Sequence, residues 1–261
     1  MSREITDKID QSSEEEHSEM GFFDHLEELR KRIFMACLGI LLGCVGSGIF
    51  ISQIIEYVLL KPATAANLNL QNLKPFGQPF LYFKVILIGG VIIAFPFVLY
   101  QLWKFIAPGL YKKERKWARS ITFYTSLCFL TGVGFAYFVM IPFMLRFAAT
   151  FGSDKIKNMI DINEYFSFMT MMMLASGLIF EMPMISYVLS RVGILTPKFL
   201  RKYRRHSIVV LLIVAAVITP TPDPINQLIF FTPLYFLFEL SIVVSKFASK
   251  GRQGPEVDVV S

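Results

Sequence analysis

The sequence is poor in the residues that usually carry metal-dependent or nucleophilic catalysis. It holds only three cysteines and three histidines in 261 residues. The cysteines, which all lie in apolar segments and form no CxxC pair, are Cys37, Cys44 and Cys128. The histidines, which are scattered along the chain, are His17, His25 and His206. We therefore expect neither a disulfide framework nor a metal site, and no cofactor.

The sequence also lacks a targeting segment. Residues 1–29 contain ten acidic side chains and no apolar stretch, which excludes a secretory signal and an Arg-rich transit peptide. We predict that residues 1–20 form a disordered acidic leader, with an acidic docking tail as the alternative. No P-loop motif is present, so a nucleotide-driven mechanism of that kind is not indicated.

Long apolar runs are abundant instead. Hydrophobic residues make up 54% of the chain, and runs near the roughly 20 residues that cross a bilayer recur along it. We predict an all-α integral membrane protein with six transmembrane helices. Their approximate ranges are 33–53, 81–107, 119–141, 166–190, 206–220 and 226–245.

The last two predicted spans are short. Three prolines separate them, Pro220, Pro222 and Pro224, so their connection must be a tight non-helical turn. Each arm can still cross if the bilayer thins locally, and a single re-entrant hairpin is the alternative.

The distribution of Lys and Arg predicts the orientation. The N-terminal segment, the 104–119 and 191–205 connections and the C-terminal tail hold 20 of the 26 Lys and Arg residues, and the opposite connections hold the remaining 6. By the positive-inside rule both termini are cytoplasmic. The net charge of +6 therefore reflects loops beside anionic lipid, and nucleic acid is not an expected partner.

The segment "GFFDHLEELRKR" (residues 21–32) precedes the first span. Its apolar residues Phe22, Leu26, Leu29 and Ile33 recur at helical spacing, which is typical of an amphipathic helix on the membrane surface. We predict one domain over residues 21–246, made of this helix and the six spans. Residues 247–261 are expected to form a flexible cytoplasmic tail.

Acidic residues are rare between residues 33 and 245, where only eight occur. Glu114 lies among four basic residues. It is either a solvated carboxylate or the ligand of a cationic group. Glu181 lies inside the apolar run "ASGLIFEMPMISYVL", where an ionisable group is costly. It either joins helices of this chain, contacts a partner helix, or takes part in a proton-coupled step.

Two further acids have local roles. We expect Asp223, in "TPTPDPINQ", to bond free N–H groups of the turn and to cap the next helix. Glu239 lies close to the membrane interface. Ser176 and His206 alone are insufficient evidence for an intramembrane hydrolase, so the chain is not expected to be an enzyme.

Five motifs occur in order along the chain: "HLEELRKR" (25–32), "LYQLWKFIAPGLYKKERK" (99–116), "GFAYFVMIPF" (134–143), "IFEMP" (179–183) and "TPDPINQ" (221–227). Together they closely resemble the TatC family, the six-span component of the twin-arginine protein translocase. The similarity runs from about residue 22 to residue 246. The turn carries more proline than the family pattern, which leaves open whether Thr219 or Thr221 matches the family threonine.

The resemblance implies roles for individual residues. The signal-peptide site would comprise Glu28, Leu29, Arg30, Phe105 and Glu114. The membrane-embedded Glu181, together with Gln227, would contact single-span TatA- and TatB-type subunits. Asp223 and Pro62 match family positions of structural importance.

The resemblance therefore predicts a twin-arginine signal-peptide receptor and core scaffold of the Tat translocase, in the bacterial inner membrane. Its partners would be signal peptides of folded substrates, the single-span subunits, other TatC copies and the lipid bilayer. Export would be driven by the proton motive force. The alternative is a proton-coupled small-solute transporter that uses Glu181 and Asp223 as relay groups, although the internal repeats typical of such transporters are not apparent.

Overall fold

The computed structural model describes residues 2–106, 117–150, 159–219 and 224–250. Its helices are α1 Ser2–Ile49, α2 Ile51–Gln53, α3 Lys61–Ala65, α4 Gly77–Ile106, α5 Trp117–Phe135, α6 Ile141–Thr150, α7 Ile162–Phe180, α8 Met182–Val192, α9 Pro197–Lys202, α10 Arg204–Ile218 and α11 Pro224–Lys250. Two π-helical segments, Ile54–Leu59 and Ala136–Met140, continue α2 and α5. The predicted all-α class is confirmed.

One short element of β structure was not predicted. Strands β1 (Asn69–Gln71) and β2 (Met159–Asp161) pair in parallel, with Leu70 opposite Ile160. Three residues are too few for a period-two pattern to be recognised, and the partners lie about ninety positions apart. Pairing of this kind depends on the helices that bring the two connections together.

Among the described residues, five stretches are long and apolar enough to cross a bilayer: Leu26–Ile49, Gly77–Phe105, Ile121–Thr150, Ile162–Val192 and Gln227–Ser249. Each overlaps a predicted span, but the ends differ. The span predicted at 119–141 continues to Thr150 because α5, a π-helical segment and α6 form one rod. Large apolar side chains along these helices are exposed, as lipid-facing residues of a multi-pass membrane protein are.

The predicted fifth span, 206–220, corresponds to α10. This helix has 15 residues, so it is about 22 Å long, against about 30 Å for the hydrocarbon core of a bilayer. Its crossing of the membrane stays a prediction and requires local thinning of the bilayer. The proline-rich turn that follows it, at residues 220–223, lies outside the described residues, as does Asp223.

The helices run alternately up and down, which gives the bundle two ends. We call the end that holds β1, β2 and the starts of α4 and α7 the strand end. The opposite end, which holds residues 26–32 and the last turns of α4, α8 and α11, is the tail end. Contacts between Arg32 and Gln101, and between Arg204 and Glu239, fix this antiparallel arrangement at the tail end.

Small residues let neighbouring helices approach closely. A Cβ atom on Gly43 of α1 would lie 2.4 Å from the Gly90 carbonyl oxygen of α4. Helices α8 and α11 meet through the buried Ser190 and Ser245, whose hydroxyl oxygens are 2.6 Å apart. Because lipid tails compete with apolar side chains, such close backbone packing is what holds membrane helices together.

Helix α1 begins well before the membrane. It includes residues 2–20, for which the sequence predicts a disordered leader. No Pro or Gly occurs in this segment, so nothing in its composition interrupts a helix that starts upstream of the first span. The division into leader, membrane domain and tail stays a prediction, and residues 251–261 lie outside the described part of the chain.

Candidate functional site

The predicted signal-peptide residues on α1 lie at the tail end of the bundle, beside the last turns of α4. Antiparallel packing of α1 on α4 places Arg32 against Gln101, with their side chains 3.5 Å apart. Phe105 follows Gln101 by one turn and is half-buried at the same end. The structure thus brings Glu28, Leu29 and Arg30 to the same end as Phe105, whereas Glu114 lies outside the described residues.

A small polar cluster occupies this place. The Glu28 carboxylate accepts a hydrogen bond from the Arg32 guanidinium at 3.0 Å, and Arg32 also donates to the buried Gln101. The Glu28 side chain keeps 31% of its surface exposed, against 18% for Arg32. We call Glu28, Arg32 and Gln101 the tail-end cluster. Within this cluster, the solvent-accessible carboxylate of Glu28 already binds one guanidinium.

The second predicted site centres on Glu181, at the junction between α7 and α8. Pro183 lacks the N–H that would donate to the Ile179 carbonyl, which removes one hydrogen bond of the helix at this point. Helix α7 ends at Phe180 and α8 begins at Met182, with Glu181 between them. The carboxylate therefore lies at a helix break inside the span Ile162–Val192.

Glu181 faces the interior of the bundle. Its side chain is buried, and Oε1 accepts no hydrogen bond from any described residue. The neighbouring helix is α5, whose Cys128 thiol lies within electrostatic range of the carboxyl group. A buried carboxyl oxygen without a donor is costly, which is typical of a group that serves a purpose other than stability.

Helices α5 and α7 pack closely just before this junction. The Ser176 hydroxyl donates to the Gly132 carbonyl at 2.9 Å. A Cβ atom on Gly132 would meet the Ser176 carbonyl and the Phe180 side chain at less than 3 Å. The kink at Glu181 is thus held from one side by a contact that tolerates only glycine.

The other predicted residues have structural contacts. Gln227, on α11, donates from Nε2 to the Leu212 carbonyl of α10 at 3.0 Å. Pro62 is buried in the first turn of α3. The preceding chain is held by two tyrosines, because Tyr165 donates to the Leu59 carbonyl and Tyr137 to the Val58 carbonyl.

Comparison with known proteins places the chain in a family. The family model described as Sec-independent protein translocase protein (TatC) matches residues 24–233. The chain is 38% identical to Sec-independent protein translocase protein TatC of Helicobacter pylori (strain J99) over 234 residues, which cover 90% of this chain and 92% of that protein. It is 35% identical over 237 residues to TatCy of Bacillus subtilis (strain 168), with the same coverage.

A solved structure agrees. The crystal structure of the twin-arginine translocase receptor TatC matches with a TM-score of 0.77 at 33% identity, and the match covers 86% of this chain and 99% of that one. The chain belongs to the TatC family. The resemblance and the main functional prediction, a component of a protein translocase, are confirmed. TatC is a family of translocase components and not a family of enzymes.

The tail-end cluster of this TatC-family chain was only partly predicted. Glu28 was singled out, but its partners Arg32 and Gln101 were not. The spacing of Glu28 and Arg32, four residues apart on one helix, is a signal for an ion pair that sequence reading can use. The contact with Gln101 spans 69 positions and depends on the packing of α1 on α4.

Proposed function

We propose that this chain is the twin-arginine signal-peptide receptor and core scaffold of a Tat translocase, which exports folded proteins across the bacterial inner membrane. The proton motive force would drive export, and catalysis of a chemical reaction is not part of the role. The observation that carries the proposal is the Glu28 carboxylate, which pairs with an arginine guanidinium at a solvent-accessible end of the bundle. Family membership supplies the context.

The proposed orientation places the tail end in the cytoplasm. The N- and C-terminal segments and the sequence connections 104–119 and 191–205 hold 20 Lys and Arg residues, and the other connections hold 6. The positive-inside rule then gives cytoplasmic termini, with α10 as a crossing in addition to the five long spans. A cytoplasmic tail end is where a signal peptide arrives before export.

Recognition of two arginines would use two carboxylates. Glu28 takes one guanidinium, and Glu114 is proposed to take the other, because planar guanidinium groups bind carboxylates in charge-assisted, bidentate pairs. The apolar side chains of Leu29 and Phe105 would hold the adjacent part of the peptide. Arg30, which is exposed beside them, is proposed to contribute to the same surface.

Arg32 gives this site a built-in competitor. Its guanidinium bonds one carboxylate oxygen of Glu28, so an arginine that binds both oxygens would have to displace it. The displaced Arg32 retains Gln101 as a partner. A lysine ammonium lacks the planar fork of a guanidinium and would exchange less well.

Crosslinking tests the peptide site. A signal peptide with two arginines and a photoreactive residue is expected to crosslink to the wild-type protein. Crosslinking should fall with Glu28→Gln, with Glu114→Ala and with a two-lysine peptide. Unchanged crosslinking for both Glu114→Ala and the two-lysine peptide would refute recognition by carboxylate–guanidinium pairs.

The partner site is proposed at Glu181, with Gln227 as a second contact. The unpaired Oε1 of Glu181 supports a polar contact supplied by the transmembrane helix of a TatA- or TatB-type subunit. Glu181→Ala is expected to reduce copurification of these subunits in mild detergent and to leave peptide crosslinking intact. Loss of peptide crosslinking in this variant would contradict the separation of the two sites.

A further inference from the structure

A groove of about 610 Å³ opens at the strand end, between the first turns of α4 and α7. Residues 74–88 form one wall and residues 163–167 the other. Most of the lining is apolar, and Phe76, Phe80 and Phe83 are strongly exposed. We call this feature the strand-end groove. It lies away from Glu28 and Glu181, so neither proposed site accounts for it.

Lys84 places a positive charge inside this groove and inside a membrane span. It lies seven residues after Gly77, about 10 Å along the helix that begins the span. Its ammonium donates to the Ser167 hydroxyl at 2.6 Å. No ion pair involves Lys84 in the part of the chain that the structure describes. A neutral hydroxyl leaves the charge uncompensated, and a cation within a span normally pairs with an anion or reaches the interface.

The groove carries a net positive charge towards its mouth. Lys74 precedes α4, and Glu164 lies in the first turn of α7. With Lys84, the lining therefore contains two cations and one anion, so a ligand with one negative charge would balance it. Helical side chains lean towards the N-terminus of their helix, which directs the Lys84 stem towards the mouth and the membrane interface.

We propose that the strand-end groove binds one anionic phospholipid of the phosphatidylglycerol class. Its phosphodiester oxygens accept hydrogen bonds from Lys84 and Lys74, and one acyl chain lies along Phe80, Phe83 and Leu87. The occupant follows from the charge and the position. The Lys84 ammonium extends towards the membrane interface, where a lipid phosphate lies. The apolar lining of the groove faces the acyl region of the bilayer. An apolar helix in the same place would leave Lys84 unpaired.

Lipid-dependent thermal stability tests this proposal. The purified protein is delipidated in a neutral detergent, and its thermal unfolding is followed while dioleoyl-phosphatidylglycerol, -phosphatidylcholine or -phosphatidylethanolamine is added. Phosphatidylglycerol is expected to raise the Tm more than the two zwitterionic lipids do, because a bound ligand stabilises the folded state. Lys84→Gln should weaken this binding about tenfold, since one charge-assisted hydrogen bond is lost.

Matched variants keep the result interpretable. Lys84→Arg retains the charge and should retain the selective shift, which shows that position 84 tolerates substitution. Lys198→Gln removes an exposed cation of α9 outside the groove and should change nothing. Equal shifts with the three lipids, or an undiminished selective shift in Lys84→Gln, would overturn the proposal.

A crosslink identifies the occupant directly. With p-benzoylphenylalanine in place of Phe83, illumination in native membranes should add the mass of one phospholipid to the protein. An adduct with a protein chain would overturn the lipid assignment, whether that chain is a partner subunit or a second copy. The lipid readouts do not use signal peptides, so their outcome is independent of the peptide-receptor proposal.

Discussion

Two carboxylates at opposite ends of α7 are equally buried but differ in the hydrogen bonds that they accept. Asp161 is 6% exposed and Glu181 is 5% exposed. Asp161 Oδ1 accepts hydrogen bonds from the backbone amides of Asn163 and Glu164, and Oδ2 accepts one from the amide of Leu73. Glu181 Oε1 accepts none from the described residues. Burial alone therefore does not reveal what a carboxylate does.

The difference separates a structural acid from a functional one. Asp161 caps α7 where the helix dipole favours a negative charge, and it ties the start of this helix to the chain after β1. Glu181 lies in the helix break beside Pro183, at the negative end of α7. A carboxyl oxygen buried without a donor among the described residues is stabilised when a group outside them supplies one.

The largest loss of stability is expected for Asp161→Ala. This substitution removes the acceptor for three backbone amides and releases β1 and the following residues from α7. The Tm in detergent should fall clearly, whereas Glu164→Ala, which removes an exposed carboxylate from the same helical turn, should leave it nearly unchanged. Equal Tm values for the two variants would show that Asp161 does not fasten the strand end.

Acid should reproduce part of this effect. Burial alone would raise the pKa of Asp161, but the hydrogen bonds from Leu73, Asn163 and Glu164 outweigh it and lower the pKa below the ordinary 3.8. A lowered folded-state pKa means that the stabilisation is complete above 3.8 and is lost as the pH falls through the lower value. Unfolding measured from pH 7 downwards should show this loss in the wild type and much less of it in Asp161→Asn.

An increase in stability is expected for Glu181→Met. Replacing a buried carboxyl whose Oε1 has no donor among the described residues with an apolar side chain of similar length should stabilise the isolated protein by about 1 to 3 kcal/mol. Copurification of partner subunits should fall in the same variant. Glu239→Met is the contrasting control, because Glu239 accepts hydrogen bonds from Arg204 and Tyr235 and its loss should destabilise. A less stable Glu181→Met would place the missing donor within this chain.

The sequence was most informative where one strong physical rule decides the outcome. Apolar runs located the five long spans because a bilayer requires them. The TatC motifs then identified the family. Span ends were less predictable: α6 extends the third span to Thr150, and Met144 and Leu145 within it are buried against the rest of the bundle.

Contacts between distant segments were not predictable from one sequence. The parallel pairing of Leu70 with Ile160, the contact of Arg32 with Gln101 and the bond from Tyr165 to Leu59 join residues 69 to 106 positions apart. No local pattern encodes these pairs, since each forms only after the helices have packed. Asp161 illustrates the consequence: its sequence neighbourhood gave no reason to rank it above the other acids.

The smallest change in stability is expected at the third carboxylate, Glu28. Its ion pair with Arg32 joins residues four apart on one partly exposed helix face, and such pairs contribute about 0.3 to 0.5 kcal/mol. Glu28→Gln should therefore leave the Tm almost unchanged and still weaken signal-peptide binding about tenfold, because a charge-assisted pair with the peptide is lost.

Arg32→Gln tests whether Arg32 competes with the peptide for Glu28 or holds Glu28 in position. If Arg32 competes with the peptide, this variant binds twin-arginine peptides more tightly than the wild type. Weaker binding would mean that Arg32 instead holds Glu28 in its binding geometry.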